Sequence, residues 1–178
     1  MIFTQTQLPG AYIIDLECII DERGFFARTW CKEEFMKHGL NPNLVQCNLS
    51  YNIKSGTLRG MHYQAAPYEE AKLVSCVSGS IYDVIIDLRE TSPTFGQWHA
   101  FELSAVNHRM LYIPEGFAHG FQTLKDNTSV FYQMSEFYHP ECVRGIRWDD
   151  PAFNIEWPDK PIIISEKDKS CRAFEGLL

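Results

Sequence analysis

The sequence predicts an all-β fold, a single sandwich or barrel of antiparallel strands. Most segments are short apolar runs rich in Val, Ile, Tyr and Phe that end at Gly, Pro, Asn or Asp. The chain of 178 residues is long enough to bury a substantial core, and it contains no repeat, low-complexity segment or linker. We therefore expect one domain over residues 1–178.

Helix is predicted to be a minor component. The clearest helical segment is CKEEFMKHG, residues 31–39, in which Phe35 and Met36 give the helix an apolar side. Gly39 is suited to end it, since glycine adopts the left-handed conformation that commonly follows a helix. We expect this helix to cover one end of the barrel.

The segment KLVSCVSGSIYDVIIDLR, residues 72–89, predicts two strands around a turn at Gly79. Side chains alternate between the two faces of a strand. One face of each strand therefore mixes polar with apolar residues: Lys72, Val74 and Cys76 on the first strand, and Asp83, Ile85 and Asp87 on the second. This mixture predicts a cavity lined in part by polar groups.

The rest of the chain continues the pattern. TSPTFGQW, residues 91–98, is predicted to be a loop because it contains Pro93 and Gly96. Further strands are predicted in HAFELS, NHRMLYIP and SVFYQMSEFY. The C-terminal segment from Trp157 onward alternates Pro with apolar residues, so we expect it to pack across the body of the protein.

Charge and cysteine content limit the class of function. Lys and Arg number 16 against 23 Asp and Glu, and the formal charge of -7 disfavours binding to nucleic acid or to an anionic membrane. An anionic ligand must therefore meet a local cluster of basic residues. The six cysteines lack a C-x-x-C motif, and we see no signal peptide or membrane span, so we expect reduced thiols in a cytoplasmic protein.

Two histidines stand out. Pro114, Gly116 and His119 form P-x-G-x-x-H, which resembles the second motif of the cupin superfamily of jelly-roll barrels. The first cupin motif normally carries H-x-H, whereas this chain reads H-Y-Q from His62. Two imidazoles fall short of the three protein ligands usual for catalytic zinc. No metal site is therefore expected, and a metal-dependent cupin oxygenase is the weaker alternative.

Longer segments, in order and over nearly the whole chain, closely resemble the dTDP-4-dehydrorhamnose 3,5-epimerase family: DERGFFARTW, TLRGMHYQ, AKLVSCVSGSIYDVIIDLR, IPEGFAHGF, VFYQMSEFY and RWDDPAFNIEWP. The resemblance implies a cupin-like jelly roll that needs no cofactor. It also implies the family's reaction, which inverts centres beside the ketone of a nucleotide-linked 4-keto-6-deoxyhexose, as in dTDP-L-rhamnose biosynthesis. Such inversion passes through an enolate, so it needs a base, a cation or donor at the ketone oxygen, and an opposed acid.

The resemblance assigns four catalytic residues. His62 would remove the proton, and Asp168 would hold its other ring nitrogen and stabilise the imidazolium. Lys72 would stabilise the enolate oxygen. Tyr132 would return a proton from the opposite face, which gives inversion instead of simple exchange.

The resemblance also implies which residues bind the substrate. The diphosphate would meet guanidinium and imidazole groups, the nucleobase would meet aromatic and amide groups, and one carboxylate would line the cavity beside Lys72. The residues expected at the diphosphate are Arg23, Arg59 and His119. Those expected at the nucleobase are Phe26, Tyr138, Gln46 and Asn48, and the carboxylate beside Lys72 is Asp83. The resemblance further implies a homodimer whose subunits complete one another's nucleotide sites.

One position departs from the family pattern. Arg28 stands in a region that contributes to nucleotide recognition, near the position where a glutamate is expected, and it replaces an acceptor by a donor. The sequence therefore leaves open whether the substrate is a dTDP- or a CDP-linked sugar. It also leaves open whether C3, C5 or both are inverted. The alternative to an enzyme is a catalytically silent cupin-type module that binds sugar nucleotides.

Overall fold

The computed structural model describes residues 1–174. Its elements are β1 (Ile2–Gln5), β2 (Tyr12–Asp15), β3 (Ile19–Asp21), β4 (Gly24–Phe26), α1 (Lys32–Lys37), β5 (Gln46–Asn52), β6 (Thr57–Gln64), β7 (Lys72–Ser78), β8 (Ser80–Asp87), β9 (Trp98–Ser104), β10 (Met110–Ile113), β11 (Phe117–Thr123), β12 (Thr128–Met134), β13 (Val143–Gly145), β14 (Ile163–Ile164) and α2 (Glu166–Lys169). Strands dominate and both helices are short, which confirms the predicted fold class. Neither helix has the length and apolar character needed to cross a membrane, as far as the described residues go.

Two sheets face each other across the main core. The first sheet has the order β1-β2-β10-β7-β12-β5 and is antiparallel throughout. The second has the order β13-β6-β11-β8-β9, and β14 pairs with β6 in parallel. This double-sheet arrangement is the predicted jelly roll, and β14 departs from its otherwise antiparallel pairing.

The main core lies between the sheets. Val74 and Cys76 on β7 meet Ile81 and Ile85 on β8, as the alternation in the sequence predicts. Each fully buried aliphatic side chain contributes about 1.5–3 kcal/mol relative to its exposure to water. The inward faces of the two sheets therefore provide much of the driving force for folding.

Short segments cover the outer faces of both sheets. Phe35 of α1 packs with Leu73 and Tyr112 on the outside of the first sheet. This helix therefore covers the face of a sheet, and the prediction that it covers one end of the barrel is wrong. On the second sheet, Trp157 and Phe174 pack in the outer cluster. The described part of the C-terminal segment thus crosses the body as predicted, and residues 175–178 of that segment lie outside the described residues.

Asp87 ties together the end of β8 and the loop that follows. This fully buried carboxylate accepts hydrogen bonds from Nε and Nη2 of Arg89 at 2.8 and 2.7 Å, from Ser92 Oγ at 2.6 Å and from Thr94 Oγ1 at 2.7 Å. Burial raises the pKa of Asp87, but these hydrogen bonds outweigh burial and hold the pKa below its usual value. The group is therefore a charged structural anchor.

A bulge in β6 prepares the site. His119 pairs with His62 and Phe121 with Arg59, so β6 holds one residue more than β11 over this stretch. Strict alternation would point Arg59 and His62 to opposite faces, but the bulge turns both toward the same cavity. Gly60 lies in the bulge at φ +130°, and a Cβ there would come within 2.5 Å of the Gly120 Cα, so a larger residue does not fit.

Candidate active site

A cavity of about 400 Å³ lies between the two sheets. Both sheets and the start of α2 supply its walls. The lining residues are Asn48, Ser50, Lys72, Tyr132 and Met134 from the first sheet, Arg59, His62, His119, Gly120 and Phe121 from the second, and Ser165, Lys167 and Asp168 from the cap and first turn of α2. The four residues predicted to be catalytic therefore share one cavity.

His62 is paired with a carboxylate from a distant part of the chain. Its Nε2 donates to Oδ1 of Asp168 at 2.7 Å, and the imidazole is 36% exposed, so a ligand can reach it. With the proton on Nε2, Nδ1 keeps a free lone pair. A histidine held in this way suits a general base whose imidazolium form is stabilised by the carboxylate.

The start of α2 holds Asp168 in place. Ser165 caps this helix, since its Oγ accepts a hydrogen bond from the N–H of Asp168 at 3.1 Å. Burial raises the pKa of Asp168, but hydrogen bonds from His62, Ser165 and the Gly60 N–H outweigh burial and hold the pKa below its usual value. The carboxylate therefore stays ionised near neutral pH.

Tyr132 lies on the sheet opposite His62. It belongs to β12, between β7 and β5, and it lines the cavity from there. Burial raises the pKa of Tyr132, and the negative charge of Asp83 raises it further. The phenol is therefore protonated near neutral pH and can serve as a general acid on the wall that faces His62.

Lys72 brings an ammonium group to the same cavity. The residue is only 7% exposed, and its Nζ donates to the backbone oxygen of His62 at 3.4 Å. Nζ also lies 3.0 Å from Oε1 of Glu70. A fixed cation in a partly desolvated site can stabilise an oxyanion that develops on a ligand.

Asp83 does not line the cavity, which corrects the expectation from the sequence. It is fully buried on β8, where its Oδ1 accepts a hydrogen bond from Nε2 of His119 at 2.8 Å. Its Oδ2 has no hydrogen-bond partner among the described residues. His119 lies between Asp83 and the cavity, so this carboxylate orients the His119 ring instead of contacting a ligand.

Basic residues gather at the cavity although the whole chain is acidic. Arg59, Lys72 and Lys167 all line it. Nε of Arg59 donates to Oδ1 of Asn52 at 2.8 Å, which leaves the terminal nitrogens of the guanidinium for a ligand. The cluster meets the requirement, set by the net charge, for local cations around an anionic ligand.

A smaller cavity of about 180 Å³ adjoins the first and shares Asn48 and His62 with it. Gln46 and Tyr138 line this smaller cavity. Nε2 of Gln46 donates to Oδ1 of Asn48 at 3.3 Å, and Oε1 of Gln46 accepts the N–H of Tyr138 at 3.2 Å. Three residues predicted to lie near the nucleobase thus form one connected group.

Three other predicted binding residues lie away from these cavities in the single chain. Arg23 and Phe26 project from the β3–β4 hairpin, where Arg23 pairs with Asp21 and Phe26 is 75% exposed. Arg28 follows the hairpin and forms an ion pair with Glu34 at 2.8 Å. None of the three lines either cavity within residues 1–174.

Ser50, Lys167 and Glu70 are among the polar lining residues that were not singled out from the sequence. Ser50 follows Asn48 by two positions on β5, so strand alternation could have found it. Lys167 reaches the cavity because it shares the first turn of α2 with Asp168. Glu70 lines the smaller cavity, and no sequence signal marks it.

The donors in the cavity favour proton transfer over metal binding. His62 and His119 are neighbours across β6 and β11, but the Nε2 of each is engaged with its own carboxylate. No group of at least three His, Cys, Asp or Glu side chains is placed to hold a metal ion in the described part of the chain.

Fold and site together define the class of protein. One cavity of a cupin-like jelly roll contains a histidine–carboxylate pair, an ammonium group and, on the opposite wall, a protonated tyrosine. These are the groups that an isomerase needs to move a proton at a carbon next to a carbonyl. Residues 5–176 match the family model for dTDP-4-dehydrorhamnose 3,5-epimerase. The chain belongs to this family.

Individual relatives agree with the family match. The chain is 46% identical over 175 residues to the dTDP-4-dehydrorhamnose 3,5-epimerase of Methanothermobacter thermautotrophicus, covering 97% of this chain and 94% of that protein. The crystal structure of the enzyme from Elizabethkingia anophelis superposes with a TM-score of 0.94 at 40% identity, covering 98% and 96% of the two chains. A 3,5-epimerase from Legionella pneumophila, solved in complex with dTDP-4-keto-L-rhamnose, has a TM-score of 0.90 at 38% identity, covering 96% and 91%.

Proposed function

We propose that this protein is a cofactor-independent epimerase that inverts C3 and C5 of a dTDP-linked 4-keto-6-deoxyhexose. The proposal is carried by the positions of His62 and Tyr132 on opposite sheets around one cavity. A base and an acid on opposite walls can remove a proton from one face of a carbon and return one to the other face. That transfer inverts the carbon, and the family to which the chain belongs is named for this reaction.

In the first step Nδ1 of His62 takes a proton from a carbon beside the C4 ketone. The electron pair of the broken C–H bond forms an enolate whose charge lies on the ketone oxygen, where Lys72 donates a hydrogen bond. Asp168 stabilises the imidazolium. In the second step the carbon takes the phenolic proton of Tyr132 on the opposite face, and exchange with solvent restores both side chains. C3 and C5 both flank the ketone, so the same groups serve both.

The basic groups around the cavity support a diphosphate ligand. Arg59 offers its terminal nitrogens, and His119 in its imidazolium form would donate the N–H of the ring nitrogen that Asp83 does not engage. The group formed by Gln46, Asn48 and Tyr138 in the adjoining cavity offers amides and an aromatic ring to the nucleobase. The dTDP-linked ligand of the Legionella relative supports thymine over cytosine as that base.

A homodimer would bring the remaining predicted residues to the site. The β3–β4 hairpin exposes Ile19, Ile20 and Phe26, and an apolar surface of this kind favours a contact with a second copy of the chain. Arg23 and Phe26 of one subunit would then bind the nucleotide of the other, and Arg28 would lie close by. Each subunit is one domain over residues 1–178 in this proposal.

The protein is assigned to the cytoplasm on the state of its cysteines. All six are free thiols, which suits a reducing compartment. The silent binding module has less support, because a module that only binds has no need of a base and an opposed acid.

Proton NMR of dTDP-4-keto-6-deoxyglucose incubated with the protein in D2O tests the function. Deuterium at C3 and at C5 together with the inverted sugar is the expected result, and the His62→Ala variant should give neither. Exchange at one centre would reduce the activity to a mono-epimerase. Exchange of the CDP-linked sugar alone would correct the nucleotide, and no exchange with either substrate would contradict the proposal.

A further inference from the structure

We propose that Glu70 is a positioning residue for the reaction, which holds the ammonium of Lys72 in line with the ketone oxygen of the substrate. This inference rests on the proposed epimerase function. It starts from an ion pair in which Nζ of Lys72 lies 3.0 Å from Oε1 of Glu70, with the two side chains 8% and 11% exposed. Such desolvated charges depend on each other, because either one alone would be buried without compensation.

The contacts around Nζ leave part of the ammonium free for the substrate. An ammonium has three N–H donors. One donates to the backbone oxygen of His62 at 3.4 Å, and Glu70 balances the charge of the group at 3.0 Å. Both oxygen atoms are held close to the sheets, since His62 belongs to β6 and Glu70 lies two positions before the first residue of β7. The ammonium thus keeps donors for the cavity that Lys72 lines.

Glu70 acts on the reaction through Lys72 and does not touch the reacting part of the sugar. It lines the smaller cavity and is absent from the walls of the larger one, where His62 and Tyr132 lie. A lysine side chain is long and flexible, so without this anchor the ammonium can turn away from the enolate oxygen. Displacement of a catalytic group by about 1 Å costs on the order of 100-fold in rate.

Two substitutions at Glu70 and one at its neighbour test the role. Glu70→Ala should lower kcat roughly 10- to 100-fold and change KM by a much smaller factor, because Gln46, Asn48 and Tyr138 still line the cavity proposed for the nucleobase. Glu70→Gln keeps the size of the side chain and a polar oxygen near Nζ but loses the charge, so its kcat should fall between those of Glu70→Ala and the wild type. Glu69→Ala is the matched control, since Glu69 is exposed, and it should behave as the wild type.

The affinity for dTDP separates positioning from a structural role. A collapsed pocket would weaken dTDP binding by the same factor as kcat, and that result would overturn the proposal. A kcat for Glu70→Ala equal to that of Glu69→Ala would also overturn the proposal. If Glu70→Ala does not fold, the nearly isosteric Glu70→Gln variant decides by the same comparison. An inactive wild type would contradict the proposed function, whereas an active wild type with unaffected Glu70 variants would contradict only the role of Glu70.

Discussion

In the proposed reaction, single residues decide which way a proton moves through the cavity. His62 has an ionised partner in Asp168, so the protonated imidazole is stabilised once it forms. Tyr132 keeps its proton because burial raises its pKa, and it releases that proton only to a strong base such as an enolate carbon. In the proposed reaction the first side chain accepts a proton and the second donates one.

Replacing Tyr132 by Phe should separate exchange from inversion. The variant keeps the base, so deuterium from D2O should still enter the substrate with retained configuration. The inverted sugar should form on the order of 100- to 10,000-fold more slowly, the usual loss for a missing general acid. Proton NMR measures both rates in one experiment.

Tyr82→Phe is the control for that experiment. Tyr82 lies on β8 in the outer cluster with Trp157, away from the cavity, so its loss should leave both rates unchanged. Full inversion by the Tyr132→Phe variant would exclude Tyr132 as the acid.

The grouping of site residues in one cavity could be predicted from the sequence where a motif specifies them. His62, Lys72 and Tyr132 were assigned by family pattern, and all three line one cavity. Asp83 was placed in the cavity because alternation gives the face of a strand, but alternation does not show that His119 lies in between. Depth within a pocket is a property of several strands at once, which one strand's sequence does not contain.

At the scale of elements, the bulge in β6 matters most. It brings Arg59 and His62 to one side although they are three positions apart. The sequence reads as a regular strand here, and the extra residue becomes visible only in the pairing with β11. A local break in alternation therefore brings the proposed phosphate contact to the same cavity as the proposed base.

Acid should destabilise the loop after β8, because it protonates Asp87. The folded-state pKa of Asp87 is lowered from 3.8, so its contribution to stability is fully present above that value and is lost as pH falls through the folded pKa. Asp87→Asn should lower the free energy of unfolding by about 1.5–3 kcal/mol near neutral pH, since the partly exposed donors of Arg89, Ser92 and Thr94 lose a charged acceptor. The deficit should shrink as pH falls into the acidic range below 3.8.

Urea unfolding of the wild type and of the Asp87→Asn variant across this pH range measures the difference in their free energies of unfolding. Asp149→Asn removes an exposed carboxylate paired with Arg147, and it should change stability by less than about 1 kcal/mol. An Asp87→Asn deficit that stays constant as the pH falls would show that the charge of Asp87 does not matter.

At the scale of the whole molecule, the proposed dimer can be tested by complementation. His62→Ala and Arg23→Ala subunits, each nearly inactive alone, should regain activity when they are unfolded together and refolded as a mixture. In a mixed dimer the subunit that retains His62 receives an intact Arg23 from its partner. One of the two sites of the dimer is therefore complete. Sedimentation should show dimers in all samples.

The same mixture also tests the alternative of a self-sufficient subunit. If Arg23 acted within its own chain, every site in the mixed dimer would lack either His62 or Arg23. Absence of recovered activity with dimers present would therefore contradict an exchange of hairpins.

The fold as a whole could be predicted more fully than its details. Apolar runs with turn residues between them identified the strands around Gly79 and the later strands at Trp98–Ser104 and Thr128–Met134. The helix α2 and the parallel strand β14 were not predicted, because both are too short for a periodic pattern. Their placement depends on contacts with β6, which lies far away in sequence.

The position of Asp168 late in the chain has a consequence for how activity arises during synthesis. The base pair joins residues 106 positions apart, and every strand of the described structure precedes Ser165. A nascent or clipped chain that ends before Ser165 holds all of those strands and still lacks the carboxylate partner of its histidine. Proteolytic removal of the segment from Ser165 onward would therefore abolish the proposed activity while the strands of the barrel remain, and a subunit under synthesis would become active only after Asp168 has been added.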